Sequence, residues 1–290
     1  MIAVRTDQRA KRAAHVRHAV GHVFRYTIVT AMSLIILLPI VILLIASFKP
    51  VDEFLNSDLF QLPDGLNFVN YLTVLRRGNF LVGFKNVIII IVATCFLNVM
   101  LGSMQAYALG RFEFKGKRII LGLIMGARVI PHITTQIATF TIISALGLFN
   151  HRSAAILLYT GTDVVQIMLY IQFVGRIHQS LDESALIDGA SYFRIFWSII
   201  LPLLKPATVT IVILKIISCY NDMYIPYLYM PSPDLQVVST AIMKFCSTNY
   251  GSVYPVLASV FIVVMLPVLI LYIVAQKQLF GGITNGAVKE

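Results

Sequence analysis

Four ionisable residues lie deep inside stretches that are otherwise apolar: Arg128, Asp163, Lys215 and Asp222. A charge near the centre of a bilayer costs at least about 2.5–3.5 kcal/mol on insertion scales, so such residues pair with one another or line a polar path. Both uses are open. Pairing within a helix bundle, Arg128 with Asp163 for example, would fix packing. A passage for a polar solute would recruit the same charges. Its walls would add Asn98 and Gln105 from one stretch, and Tyr220, Asn221 and Tyr224 beside Asp222 from another. Polar side chains of this kind also hold helices together. His132, next to Pro131, reads as a residue of a kinked region rather than a ligand.

Other chemistries lack their residues. The chain has no nucleotide-binding glycine loop and no HExxH. No Ser/His/Asp or Cys/His set stands out by spacing. Cys95, Cys219 and Cys246 show no CxxC spacing and read as packing residues, not a metal or redox site. There is no internal repeat of the secondary-transporter kind. The chain is therefore not expected to be an enzyme or to bind a metal or cofactor. Any energy-driven work needs another subunit to supply the energy.

A second polar feature is the stretch ESALIDGASYFRIFWSIILPLLKP, residues 183–206. Ser180 and Glu183 fit a capping box. A short helix would then run to the Asp188-Gly189 turn. A second, at about 192–200, would stop at Leu201-Pro202, and Pro206 would open the next apolar stretch. Leu181, Ala185, Leu186 and Ile187 alternate with Asp182, Glu183 and Asp188, as in an amphipathic helix on a membrane surface. On its residues alone the stretch reads as a connector in which Glu183 only caps a helix.

The elements that must position these residues are membrane helices. Hydrophobic residues make up 58% of the 290-residue chain and charged residues 12%, against about 25% charged in a soluble domain. The mean hydropathy is +0.83. Six stretches approach the ~20 apolar residues that cross a bilayer: 26–48, with a kink expected at Pro39, then 86–110, 119–143, 154–175, 207–228 and 254–276. Helices are expected throughout, because backbone groups in lipid must pair within their own segment. The fold class is all-α and polytopic. The first apolar run is longer than the roughly 7–15 residues of a signal-peptide core, so it should remain as an anchor.

Orientation follows from Lys and Arg. The N-terminal segment holds Arg5, Arg9, Lys11, Arg12, Arg17 and Arg25 against Asp7. The loop RFEFKGKR follows the second stretch, and Arg176, Arg194 and Lys205 follow the fourth. These segments share the cytoplasmic side, and with them both termini. The opposite side is poorer in positive charge, although Lys49, Arg76, Arg77 and Lys85 lie there. The net charge of +10 thus reflects topology rather than nucleic-acid binding. The organisation expected is a basic cytoplasmic tail at 1–25, a six-helix domain at 26–277 with surface helices at 180–202, and a cytoplasmic tail at 278–290.

Glu183, Ala185, Asp188, Gly189, Ala190, Phe196, Ile199, Leu201, Pro202 and Pro206 resemble the EAA loop of ABC importer permeases. Ser184 stands where that family often has Ala. The tail GITNGAVK, residues 282–289, resembles the GLTAGAVKG tail of the maltose-type second permease subunit. AYALGRFEFKGKR, LGLFNH and YNDMYIPYL are similar to the same subunit, and the resemblance covers about 26–290. It implies a type I ABC importer permease fold in a bacterial plasma membrane. It implies that Glu183, Ser184, Ala185, Asp188, Gly189 and Ala190 form a coupling helix seated in an ATPase subunit. It further implies that Thr284, Asn285, Gly286 and Lys289 reach the ATPase dimer. The implied partners are a second permease, two ATPase subunits carrying ATP and Mg, and an extracytoplasmic sugar-binding protein touching about 231–251. In maltose-type systems sugar contacts fall mainly on the other permease. The same architecture serving an anionic solute such as glycerol phosphate is the alternative, kept open by Arg128 and Lys215.

Overall fold

The computed structural model describes residues 2–127, 129–161, 163–247 and 253–287, with the backbone alone at 2–20, 132, 133 and 279–287. All regular structure among the described residues is helical. Three helices are each long and apolar enough to cross a bilayer unbroken. They lie in α1 (Ile2–Ser47), α4 (Phe80–Arg111) and α15 (Tyr254–Ala287). The described residues of the basic segment 1–25 and of the tail 278–290 thus continue α1 and α15. Pro39 and Pro267 sit inside α1 and α15 without ending them.

The other expected spans are divided. The stretch 119–143 becomes α5 (Lys117–Ala127) and α6 (His132–Ala145). Pro131 is the extended N-cap of α6, since proline disfavours a helical residue before it and donates no N–H. The stretch 154–175 becomes α7 (Arg152–Thr160) and α8 (Val164–Arg176), which meet at 48°. The stretch 207–228 becomes α12 (Lys205–Asn221) and α13 (Tyr224–Tyr229). Asp222 has an extended backbone, and its side chain accepts a 2.7 Å bond from Tyr224 N, so it ends one helix and starts the next.

The chain forms two compact units. One comprises the described residues of Met1–Thr73 and Asn249–Val263. It holds α1, α2 (Val51–Leu55), the start of α3 (Val69–Arg77) and the start of α15. Asn70 Nδ2 donates to the carbonyls of Ser47 and Lys49, and Ser259 Oγ donates to Ser47 O, so the otherwise unpaired carbonyls at the end of α1 are satisfied. Lys49 is fully buried but bonds Ser57 Oγ and Asp58 O. Residues 21–38 of α1 expose their apolar side chains, as a helix surrounded by lipid or another membrane protein would.

The second unit comprises the described residues of Val74–Thr248 and Val264–Glu290. One of its two cores gathers Val87, Ile90, Ile143, Tyr159, Cys219, Tyr229 and Val238. At that end polar side chains bind backbone and one another. Asn86 Nδ2 donates to Asp234 O and Gln236 O, Arg152 Nε donates to Asn86 Oδ1, and Asn150 Nδ2 donates to Ser232 Oγ. These bonds hold the segment between α13 and α14 (Val238–Cys246) against the start of α4. The other core gathers Ala106, Tyr107, Tyr170, Val174, Ile195, Phe196, Ile200 and Leu204, and it carries the surface helices.

Candidate functional site

The stretch read as a docking element folds as α9 (Ser180–Ile187), a turn, and then α10 (Tyr192–Ile195), a π-helical turn at Phe196–Ile200 and α11 (Leu201–Leu203). The turn at the end of α9 is tightly made. Gly189 has φ +81°, a left-handed conformation that glycine alone adopts without penalty. Ala190 N bonds Ala185 O and Gly189 N bonds Leu186 O, the paired bonds of a Schellman cap. Ser191 Oγ then accepts from Arg194 N to start α10.

Two expectations are corrected. The N-cap of α9 is Gln179, not Ser180, and makes no side-chain cap bond; Ser180 Oγ instead lies 3.0 Å from His178 Nδ1. The second helix does not stop at Pro202. The π turn carries the helix on without a break, so that Tyr192–Leu203 is one helical run with Pro202 in its last turn. The direction changes later, by 73° ahead of α12.

The outward surface of this element is chemically mixed. Glu183, Ser184, Asp188 and Gly189 are exposed, and Ala185 and Ala190 rest partly on the core below. Leu181 and Leu186 are also exposed, and Ile187 is 86% exposed. Asp182 does the reverse. It is buried and accepts a 2.6 Å bond from Arg111 Nε and a 3.2 Å bond from Arg111 Nη2. Sequence reasoning put Asp182 on the polar face of α9; its partner is 71 positions away, so no local pattern marks the pair.

The expected path residues divide into two groups. Asn98, Gln105 and Asp163 line one cavity of about 240 Å³ with Gly102, Thr160, Gly161 and Gln166. Its apolar walls are Leu101, Leu157 and Ile167. Gln166, which sequence reasoning missed, donates from Nε2 to Asn98 O at 2.6 Å. Asn98 is 3% exposed, and its Oδ1 is one of two buried side-chain atoms without a hydrogen-bond partner among the described residues, the other being Thr94 Oγ1.

Tyr220, Asn221, Asp222 and Tyr224 do not line this cavity. Tyr220 OH donates to Val264 O, while Asn221 and Tyr224 are exposed. Asp222 reaches the cavity's edge only through a polar chain. Asp222 Oδ2 accepts from Tyr159 OH at 2.9 Å, Tyr159 O accepts from Lys215 Nζ at 3.2 Å, and Lys215 Nζ lies 3.6 Å from Asp163 Oδ2.

Among the described residues, the cation facing Asp163 is Lys215. Arg128, the partner offered from sequence, lies outside the described residues, as does Lys289. Thr284, Asn285 and Gly286 fall in the last turns of α15. Cys95, Cys219 and Cys246 are free thiols. No metal-type cluster of His, Cys, Asp and Glu occurs among the described residues.

A family profile described as binding-protein-dependent transport system inner membrane component matches residues 98–282. The chain is 34% identical to a probable starch degradation products transport system permease protein, AmyC, of Thermoanaerobacterium thermosulfurigenes, over 93% of this chain and 98% of that one. It is 30% identical to the diacetylchitobiose uptake system permease protein NgcG of Streptomyces coelicolor, over 88% of this chain and 84% of that one. It is also 30% identical to the melibiose/raffinose/stachyose import permease protein MelC of Bacillus subtilis, over 87% and 91%. A solved bacterial ABC transporter involved in the import of the acidic polysaccharide alginate contains a chain with the same fold. The TM-score is 0.80 at 22% identity, over 89% of this chain and 96% of that one.

Proposed function

The chain belongs to the family of binding-protein-dependent transport system inner membrane components, and we propose that it is one permease subunit of an ATP-driven importer of sugars or oligosaccharides. It pairs with a second, homologous permease. A binding protein delivers the sugar from outside, and two ATPase subunits, which hold the ATP and Mg, drive release into the cytoplasm. The helices cross the membrane six times, counting each divided stretch once, and both termini face the cytoplasm.

The observation that carries this reading is the α9–turn–α10 element. Its exposed Glu183 and Ile187 give a partner both a charge to pair and an apolar knob to bury. The capped turn at Gly189 fixes their presentation. A mere connector needs neither a buried base nor an exposed isoleucine. Thr284, Asn285, Gly286 and Lys289 add a second contact with the ATPase pair.

The solute side is supported by the cavity at the α7–α8 break. Amide and carboxylate groups from Asn98, Gln105, Asp163 and Gln166 face apolar walls there, the mixture that suits hydroxyl-bearing rings with apolar faces. Lys215 offsets the charge of Asp163, so the site is nearly neutral and favours a neutral sugar over an anionic solute. The relatives' names, which cite starch products, a chitobiose derivative and raffinose-type sugars, agree in class.

The test is co-purification of the ATPase with the detergent-solubilised complex. Wild type should retain it, and Glu183→Arg and Gly189→Pro should lose it. Retention in both variants would reduce the element to a connector and remove the main support for the reading.

A further inference from the structure

We propose that Arg111 and Asp182 are a positioning pair that makes α9 one rigid piece with α4 and α8, so that motion imposed on α9 arrives in the transmembrane helices. The proposal rests on the reading of α9 as the motor-docking helix.

Arg111 is the last residue of α4, and its guanidinium sits where three helix ends meet. Nε and Nη2 hold the two carboxylate oxygens of Asp182, in the first turn of α9, at 2.6 and 3.2 Å. Nη1 donates to Ile177 O at 2.9 Å and Nη2 to His178 O at 3.4 Å, just beyond the end of α8. The side chains of Arg111 and Asp182 are only 10% and 7% exposed. Each charge also suits its helix end. The cation lies at the C-termini of α4 and α8, and the anion lies at the N-terminus of α9.

Tyr107, one turn earlier on α4, directs its OH to Asp182 Oδ2 at 3.4 Å. Its ring packs on Phe112 and Phe196, with centroids at 5.5 and 5.8 Å, which ties in the helix after the turn. Asp182 thus points into the base while Ile187 points out of it. Residues 177–179 join α8 to α9 covalently, but α4 has no such link, and the ion pair, with Tyr107 beside it, supplies one. The planar fork grips the carboxylate through both oxygens while reaching two carbonyls, a geometry that the point charge of lysine does not reproduce.

The experiment uses the complete transporter in proteoliposomes with its binding protein. It reads three quantities per assembled complex: ATPase subunits retained, ATP hydrolysed and sugar imported. The variants are Asp182→Asn, Arg111→Lys and the neutral double variant Arg111→Gln/Asp182→Asn, which keeps a hydrogen-bonded pair should a single variant fail to assemble. The expected result is full retention of the ATPase, with sugar imported per ATP falling roughly tenfold or more in the single variants, the scale of one charge-assisted hydrogen bond. The double variant should recover part of this.

Wild-type sugar-to-ATP ratios in assembled single variants would overturn the proposal. So would loss of the ATPase from them, because the pair would then shape the docking surface rather than transmit through it. Failure of the docking reading is recognised separately, by Glu183→Arg keeping its ATPase.

Discussion

Gly102 tests the packing of α4 on α8 most directly. An alanine Cβ there would overlap Gln166 Nε2 and lie 2.7 Å from Cδ and 3.4 Å from Cγ, where comfortable carbon contacts begin at about 3.5 Å. The helix backbones need not move, because the obstacle is the end of a flexible side chain. The amide must swing away, however, and its bond to Asn98 O is lost. Asn98 O keeps its helical partner four residues on, the N–H of Gly102, but leaving the buried Gln166 amide unpaired costs about 1–3 kcal/mol. Alanine returns about 1 kcal/mol through its better helix propensity. Gly102→Ala should therefore destabilise by up to about 2 kcal/mol. In a Gln166→Ala background the obstacle and its bond are already gone, so the same substitution should stabilise by up to about 1 kcal/mol. The assay is a double-mutant cycle on the apparent melting temperature of the purified complex. An equal effect of Gly102→Ala in both backgrounds would refute the reasoning.

Three further outcomes follow from the geometry. Gly189→Ala forces a side chain into φ +81°, a strain of about 1–2 kcal/mol; retention of the ATPase should weaken measurably in wash-off experiments while the fold persists. Lys215→Met removes the one cation that faces Asp163 among the described residues. Thermal stability and uptake should both fall, and the double variant Lys215→Met/Asp163→Asn should recover stability, because the unpaired charge rather than the missing bond carries most of the cost. Thr94→Val removes a buried hydroxyl that lacks a partner among the described residues, so melting of the complex should be unchanged or slightly raised, and a drop of several degrees would reveal a partner for that hydroxyl in the assembled transporter.

What the sequence makes legible here is what depends on near neighbours. Apolar runs of bilayer length identify α1, α4 and α15. The Asp-Gly pair identifies the turn after α9, because a left-handed position calls for glycine. The Arg111–Asp182 pair and the Gln166–Asn98 bond escape such reading. Each joins residues about seventy positions apart, and only the packing of α4 on the α8–α9 region brings them together.

The divided spans show why the intramembrane acids resist a choice between structural and functional roles. Asp163 Oδ1 accepts from Val165 N and Gln166 N to start α8, while Oδ2 faces Lys215. Asp222 Oδ1 accepts from Tyr224 N to start α13, while Oδ2 accepts from Tyr159 OH. Each carboxylate uses one oxygen to break a helix and the other to join the polar chain through Lys215 and Tyr159. A broken helix within an apolar segment leaves backbone groups that lipid cannot satisfy, so the break must be buried in protein or line a cavity. The first break does line one, with Gly161 in its wall. The packing role of Asp163 therefore creates the polar surface that a translocation path requires. If so, Asp163→Leu should do more than remove a charge. It should let α7 and α8 join into a straighter helix and close the cavity, abolishing uptake even when Lys215→Met is present to relieve the unpaired cation. Uptake rescued by that second substitution would show that only the charge mattered.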